Sequence, residues 1–172
     1  MATDVGTILN SHKVTELSKE TLENVKQKII ANMGFKKRNA SMRSVNSLYV
    51  RTDGTGGSLF GRKSFLAMEK GRKPGKVPRD FRHIIAEWIV AKGITLYSTA
   101  GTKPRLSSVA YLIAESIRKR GTLLHQMTAF DDIYSGAVKQ ETRKLSEKIR
   151  LMLSSEVNYL HNEIANNPKY TA

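Results

Sequence analysis

Apolar side chains recur at helical spacing in the first part of the chain. Between residues 13 and 33 they fall on one stripe, at steps of three to five residues, and Gly34 follows as a C-terminal stop. The stripe consists of Val14, Leu17, Leu22, Val25, Ile29 and Met33. The pattern predicts a first helix with one narrow apolar face, which suits packing on a sheet or on a neighbouring subunit.

The pattern becomes alternating after this helix. Apolar and polar side chains alternate between residues 45 and 52, which indicates a strand. Residues 53–57 read DGTGG, a glycine-rich turn, so we predict a β hairpin or a long β loop. Residues 59–70 fit either a strand or one or two helical turns.

Two helices are predicted in the middle of the chain. One runs from Pro78 to about Lys92, and the other starts near Ser107 or Ser108, either of which could cap it, and ends at Gly121. Their apolar faces consist of Phe81, Ile84, Ile85, Trp88 and Ile89 in the first helix, and Val109, Leu112, Ile113 and Ile117 in the second. We expect Trp88, the only tryptophan, to lie in the core.

A long helix is predicted from Ser135 to about residue 164. An apolar seam runs along it, and roughly thirty residues give a length of about 45 Å. That is more than a small domain needs for its own core, so we expect the helix to contact a neighbouring subunit. The candidate interface residues are Leu145, Ile149, Met152, Leu153, Val157 and Leu160.

These elements predict an α+β fold, with an N-terminal helix, a small antiparallel sheet or β hairpin, two mid-chain helices and a long C-terminal helix. A chain of 172 residues with 40% hydrophobic content fits one globular domain, which we place at residues 12–166. Residues 1–11 are predicted to be a flexible arm and residues 167–172 a flexible tail. No membrane span and no secretion signal are expected.

Charge points to a partner. The formal net charge is +14, and residues 36–82 contain thirteen lysines and arginines but three acidic residues. Such clustering implies an acidic partner, most often nucleic acid, although a solvated basic face is the alternative. The predicted DNA- or partner-facing basic loop contains Arg62, Lys63, Lys70, Arg72, Lys73 and Lys76. The cations at 118–120 have a simpler explanation, since they complement a helix dipole.

Candidate chemistry is sparse. Cysteine is absent, which excludes disulfides, thiol nucleophiles and cysteine-bound zinc. The four histidines lie far apart in the sequence, and neighbouring Asp131 and Asp132 resemble a loop or a helix start. We therefore predict no catalytic residues, no metal and no cofactor, and expect that the protein is not an enzyme.

Three ordered pieces of the chain resemble a known family. They are FGRKSFLAMEKGRKP at residues 60–74, a proline-started helix with Trp and Lys-Gly at 77–93, and AYLIAESIRKRGT at 110–122. Their order and spacing resemble the head–tail joining and tail-completion (neck) proteins of tailed bacteriophages, of lambda-like coliphage type. FDDIY at 130–134 is also similar to members of that family, whereas Arg72 stands where many members have Thr.

The resemblance implies a structural virion protein at the head–tail interface, assembled in the host cytoplasm. Family members are α+β and form rings between portal and tail, with sixfold or twelvefold symmetry taken from the portal. The implied partners are further copies of the chain, the portal or adjacent neck and tail proteins, and viral double-stranded DNA in the channel, with no membrane. The charge alone also supports an alternative, a sequence-independent nucleic-acid-binding protein with salt-sensitive binding.

Overall fold

The computed structural model describes residues 11–38, 42–53, 56–97 and 104–166. Its elements are α1 (Ser11–Phe35), β1 (Tyr49–Asp53), β2 (Gly56–Phe60), α2 (Ser64–Lys70), α3 (Phe81–Ala91), α4 (Leu106–Arg120), α5 (Leu123–Gln126) and α6 (Ser135–Ala165). A short 3-10 helix, Val45–Ser47, precedes β1. The predicted α+β fold with a long C-terminal helix is confirmed.

These elements group into two compact units. The first contains α1 up to Ile29, the hairpin and α6, and the second contains Ile30–Leu48 and Gly61–Tyr134. The single domain proposed for residues 12–166 stays a prediction. The predicted tail at 167–172 lies outside the described residues, as does the predicted arm except for Ser11, which begins α1.

In the first unit, α1 and α6 run antiparallel. Lys28 pairs with Glu141 at 2.6 Å, and Glu20 pairs with Lys148 at 2.9 Å. Residue numbers therefore decrease along α1 in the direction in which they increase along α6. The buried residues Val25 and Ile29 lie on the stripe predicted from the sequence. Continuing this pairing places the first residue of α1 beside about residue 157, so the last turns of α6 extend beyond α1.

The predicted hairpin is confirmed, with Tyr49 opposite Phe60 and their rings stacked 5.2 Å apart. The strand was predicted to begin at residue 45, and this was wrong for Val45–Ser47. The Ser47 hydroxyl donates to the carbonyl of Ser44 at 2.7 Å, and the Ser47 N–H donates to the same carbonyl. Local bonds of this kind compete with strand pairing.

In the second unit, α3 packs on α4 through two alanines. Ala110 and Ala114 are buried against Ile85 and Ile89. Small side chains let the two helix backbones approach closely, so they occupy the centre of the contact, while larger neighbours lie at its sides. The predicted faces were therefore partly wrong: 41% of Ile84, 42% of Trp88 and 65% of Leu112 are exposed.

The ends of these helices also differ from the sequence prediction. α3 begins at Phe81 rather than Pro78, whose carbonyl accepts the N–H of Phe81. α4 begins one residue before Ser107, with Arg105 at the N-cap position and no side-chain cap bond. The expected serine cap is therefore absent from the described helix.

A buried carboxylate fixes the connector that precedes α6. Glu69, at the end of α2, is fully buried, and its Oε2 accepts the N–H of Tyr134 at 3.0 Å. Its backbone carbonyl accepts the N–H of Asp131 at 2.8 Å. Burial, together with the nearby Glu69 charge, raises the pKa of Tyr134. Ile133, which lies between Asp131 and Tyr134 in the sequence, is buried.

Candidate nucleic-acid interface

The loop at residues 71–76 is bonded to the C-terminal end of α4. The N–H of Arg72 donates to Oγ1 of Thr122 at 2.8 Å, and the N–H of Thr122 donates to the carbonyl of Arg72 at 2.9 Å. The N–H of Gly75 donates to the carbonyl of Arg118 at 2.8 Å. The last bond satisfies a carbonyl that a helix end leaves without an intrahelical partner. The loop and the helix end therefore form one rigid frame.

Two glycines make this close approach possible. Gly71 (φ 74°, ψ 172°) and Gly121 (φ 76°, ψ −177°) adopt backbone conformations that are essentially restricted to glycine. A Cβ atom on Gly121 would lie 2.5 Å from the carbonyl oxygen of Arg72, and one on Gly71 would lie 2.5 Å from the backbone nitrogen of His125. Any larger residue at either position would push the two segments apart.

The frame brings two cation-rich segments from distant parts of the sequence beside each other, and we name their cations the basic edge. The basic edge consists of Lys70, Arg72, Lys73, Lys76, Arg118, Lys119 and Arg120. All of these residues are exposed except Arg72, which is half-buried. Among the described residues, the carboxylate that pairs with the edge is Glu115, which contacts Arg118 at 2.8 Å and whose pKa that hydrogen bond lowers.

Arg72 differs from its neighbours because its side chain is used within the loop. Its Nη2 donates to the carbonyl of Lys76 at 2.8 Å, and its guanidinium lies over the ring of Phe81, 5.2 Å from the centroid. This cation–π contact and hydrogen bond shape the loop. Lys73 and Lys76 are exposed and pair with no carboxylate in the described part of the chain, so their ammonium groups are the loop cations most available to a partner.

The six cations predicted to share one basic loop do not all lie in it. Helix α2 separates Arg62 and Lys63, which precede its first turn, from Lys70, Arg72, Lys73 and Lys76 at its other end. Seven residues of helix rise about 10 Å. Sequence reasoning also missed the cations at 118–120 as part of the surface, because only the folded loop brings them beside residues 71–76.

A cationic pocket lies elsewhere in the second unit. Its volume is about 450 Å³, and its lining includes Lys36, Lys37, Arg38, Met42, Met68, Trp88 and Lys92. Trp88 was expected in the core, but it is 42% exposed because Ile85 and Ile89 take the contact with α4. Its indole therefore joins Met42 and Met68 as apolar surface in this cationic pocket.

Asp131 balances part of the charge in this pocket. It accepts a bond from Lys36 at 2.6 Å and two from Arg38 at 3.0 and 2.8 Å. Burial alone would raise the pKa of Asp131, but the bonds from Lys36 and Arg38 outweigh it and hold the pKa below its usual value. In contrast, neither Lys37 nor Lys92 pairs with a described carboxylate, although Lys92 donates to the carbonyl of Lys37.

The interface candidates on α6 fall into two groups. Leu145, Ile149, Met152 and Leu160 are half-buried, whereas 38% of Leu153 and 62% of Val157 are exposed. Met152 and Leu17 line an open cleft of about 600 Å³ in the first unit. The role of these residues in a subunit interface stays a prediction.

The described parts of the chain contain neither a metal-binding cluster nor a membrane-spanning helix. Across residues 11–38, 42–53, 56–97 and 104–166, no three His, Asp or Glu side chains lie together in a way that could hold a metal ion. None of the described helices is both long and apolar enough to cross a membrane.

Comparison with known proteins leaves the family open. No family model matches the chain, and neither a curated protein nor a solved structure matches it significantly.

Proposed function

We propose that this chain is a structural protein of the neck of a tailed bacteriophage. Copies would form a sixfold or twelvefold ring between portal and tail, with viral double-stranded DNA passing through the centre. The observation that carries the proposal is the basic edge, in which hydrogen bonds hold the cation-bearing segments 70–76 and 118–122 beside each other. The resemblance of about residues 59–135 to neck proteins supports the same assignment.

The basic edge suits the phosphate backbone rather than a particular base sequence. Double-stranded DNA carries about one negative charge per 1.7 Å of helix axis, and lysines and arginines that meet it release counterions. Around a ring, the edge would repeat with the symmetry of the assembly. Four of its six exposed cations are lysines, which act as point charges that require no fixed partner geometry. Such a surface permits DNA to move past it.

The same observation supports an alternative in which the chain binds nucleic acid as a free protein, without sequence preference. Both functions predict salt-sensitive binding through the basic edge. They differ in the state of the protein without DNA: the neck protein associates into a defined ring, whereas the free binder needs no assembly. No catalytic step, metal or cofactor is part of either proposal.

The DNA-facing role is tested by replacing Lys73, Lys76 and Lys119 together with Gln in the full chain. A matched control replaces Lys13, Lys19 and Lys139, which are also exposed and form no ion pair within the described part of the chain. Binding to duplex DNA is measured at several salt concentrations. We expect the slope of log K against log salt to decrease by about 1 for each replaced lysine that meets a phosphate in the unaltered chain. Equal decreases in the two variants would contradict a role for the basic edge.

A further inference from the structure

The end of α6 carries an acidic and apolar face in a strongly basic chain. Residues 151–165 contain Glu156 and Glu163 but no lysine or arginine, whereas the whole chain has a net charge of +14. Val157, Leu160 and Ile164 lie on one side of the helix at intervals of three and four residues. The two glutamates, seven residues apart, border that side. We name these five residues the acidic tail face.

Val157, Glu163 and Ile164 of the acidic tail face are exposed, and Glu156 and Leu160 are half-buried. The antiparallel pairing with α1 ends near residue 157, so the face lies at and beyond the end of that pairing. Val157 is 62% exposed and Ile164 is 54% exposed. Within the described residues, neither Glu156 nor Glu163 forms an ion pair. Exposed apolar side chains beside unpaired carboxylates are typical of a surface that meets a cationic, partly apolar partner.

The cationic pocket has the complementary properties. Lys37 and Lys92 supply positive charge that no described carboxylate pairs with, and Met68 and Trp88 supply apolar surface. A volume of about 450 Å³ accommodates a few side chains from a helix rather than a whole helix. A partly exposed tryptophan in a pocket is the kind of residue around which binding energy concentrates.

We infer that the acidic tail face of one copy docks into the cationic pocket of a second copy. The contact joins two different patches, so it is heterologous: each copy offers a tail face to one neighbour and a pocket to the other. Heterologous contacts generate rings when the rotation closes and open filaments when it does not. The inference rests on the proposed function, for which it names the contact between neighbouring subunits.

The test uses charge reversal in the full chain. Glu163→Lys alters the tail face, Lys37→Glu alters the pocket, and Glu147→Lys is the control, because Glu147 is an exposed α6 residue that forms no ion pair within the described residues. Self-association is measured by sedimentation velocity over a range of concentrations. Trp88 is the only tryptophan, so its fluorescence emission reports directly on the pocket.

We expect Glu163→Lys and Lys37→Glu each to weaken self-association about tenfold or more, as charge reversal at a close pair does. Glu147→Lys should behave as the unaltered chain does. An equimolar mixture of the two weakened variants should associate again, because each tail face then meets a pocket of opposite charge. Trp88 emission should shift as the mixture assembles.

Two results would overturn the docking inference. One is an effect of Glu163→Lys no larger than that of Glu147→Lys, and the other is a mixture that associates no better than either variant alone. The proposed function fails in a different way. Open filaments whose formation depends on Glu163 and Lys37 would support the docking contact and contradict the ring. Closed rings that are insensitive to both charges would support the ring and contradict the docking contact.

Discussion

At the level of single residues, the basic edge depends on Gly121. This glycine combines a positive φ with a contact that leaves no room for a side chain. Its counterpart Gly93 also has a positive φ, of 63°, but a Cβ atom there would meet nothing within 4 Å. Gly121 therefore combines a backbone conformation restricted to glycine with a steric clash, whereas Gly93 has a positive φ without a clash.

We predict that Gly121→Ala lowers the free energy of unfolding by more than Gly93→Ala does. Gly93→Ala should cost about 1–2 kcal/mol from its backbone conformation. Gly121→Ala combines a backbone conformation restricted to glycine with the clash against the carbonyl of Arg72, and the extra destabilisation should be about 1–3 kcal/mol. Urea unfolding of both variants measures the difference. Equal destabilisation would show that residues 71–76 do not lie against the end of α4.

Glu141 gives a pH dependence to the first unit. Hydrogen bonds from Lys28 and Lys144 hold the pKa of this buried carboxyl below its ordinary value, against the effect of burial. A carboxyl whose pKa is lowered on folding contributes stability that is full above its unfolded pKa, about 4.3 for Glu. That contribution disappears as the pH falls through the lower, folded pKa.

We therefore predict that Glu141→Gln lowers the free energy of unfolding at pH 7 and that the difference from the unaltered chain narrows as the pH falls below about 4.3. Glu147→Gln, at an exposed position on the same helix, serves as the control and should leave the curve unchanged. Unfolding is followed at a series of pH values from about 7 to about 3, which spans the pKa range of a carboxyl. A difference that stays constant with pH would mean that Glu141 does not gain its charge-dependent partners on folding.

At the level of elements, the spacing of apolar residues predicted where the helices lie but not always which side of each helix is buried. The stripe on α1 was predicted correctly because large apolar residues carry its contact. On α4 the contact is made by Ala110 and Ala114, whose small size hides them from a search for bulky apolar residues. The frame between residues 71–76 and α4 was beyond sequence reasoning for a different reason, since its bonds join groups about fifty residues apart.

The α3–α4 contact leads to a prediction that contrasts two residues of one helix. Ala114→Leu should lower the free energy of unfolding by about 1–3 kcal/mol, because added methylenes do not fit between closely packed helices. Leu112→Ala should change it by less than about 0.5 kcal/mol, because Leu112 is 65% exposed. Thermal or urea unfolding of both variants measures the contrast. If Leu112→Ala were instead the more destabilising variant, the contact with α3 would be made by the apolar face predicted from the sequence.

At the level of the whole molecule, the net charge of +14 is divided between different uses. Lys36 and Arg38 are held by Asp131, and Lys28 and Lys144 by Glu141, so these cations serve the fold. The lysines of the basic edge at 73, 76 and 119 are exposed on a rigid surface and form no ion pair within the described residues. The positive charge of the chain thus divides into structural pairs and a surface available to a polyanion.

Native mass separates the neck protein from the free DNA binder. It is measured on the full chain, purified free of DNA, at low and moderate salt. If the chain is a ring-forming neck protein, we expect one species of six or twelve copies of the 19.3 kDa chain, which persists at moderate salt. A monomer or dimer at every salt concentration, becoming large only when DNA is added, would contradict the neck assignment and support the free nucleic-acid-binding protein.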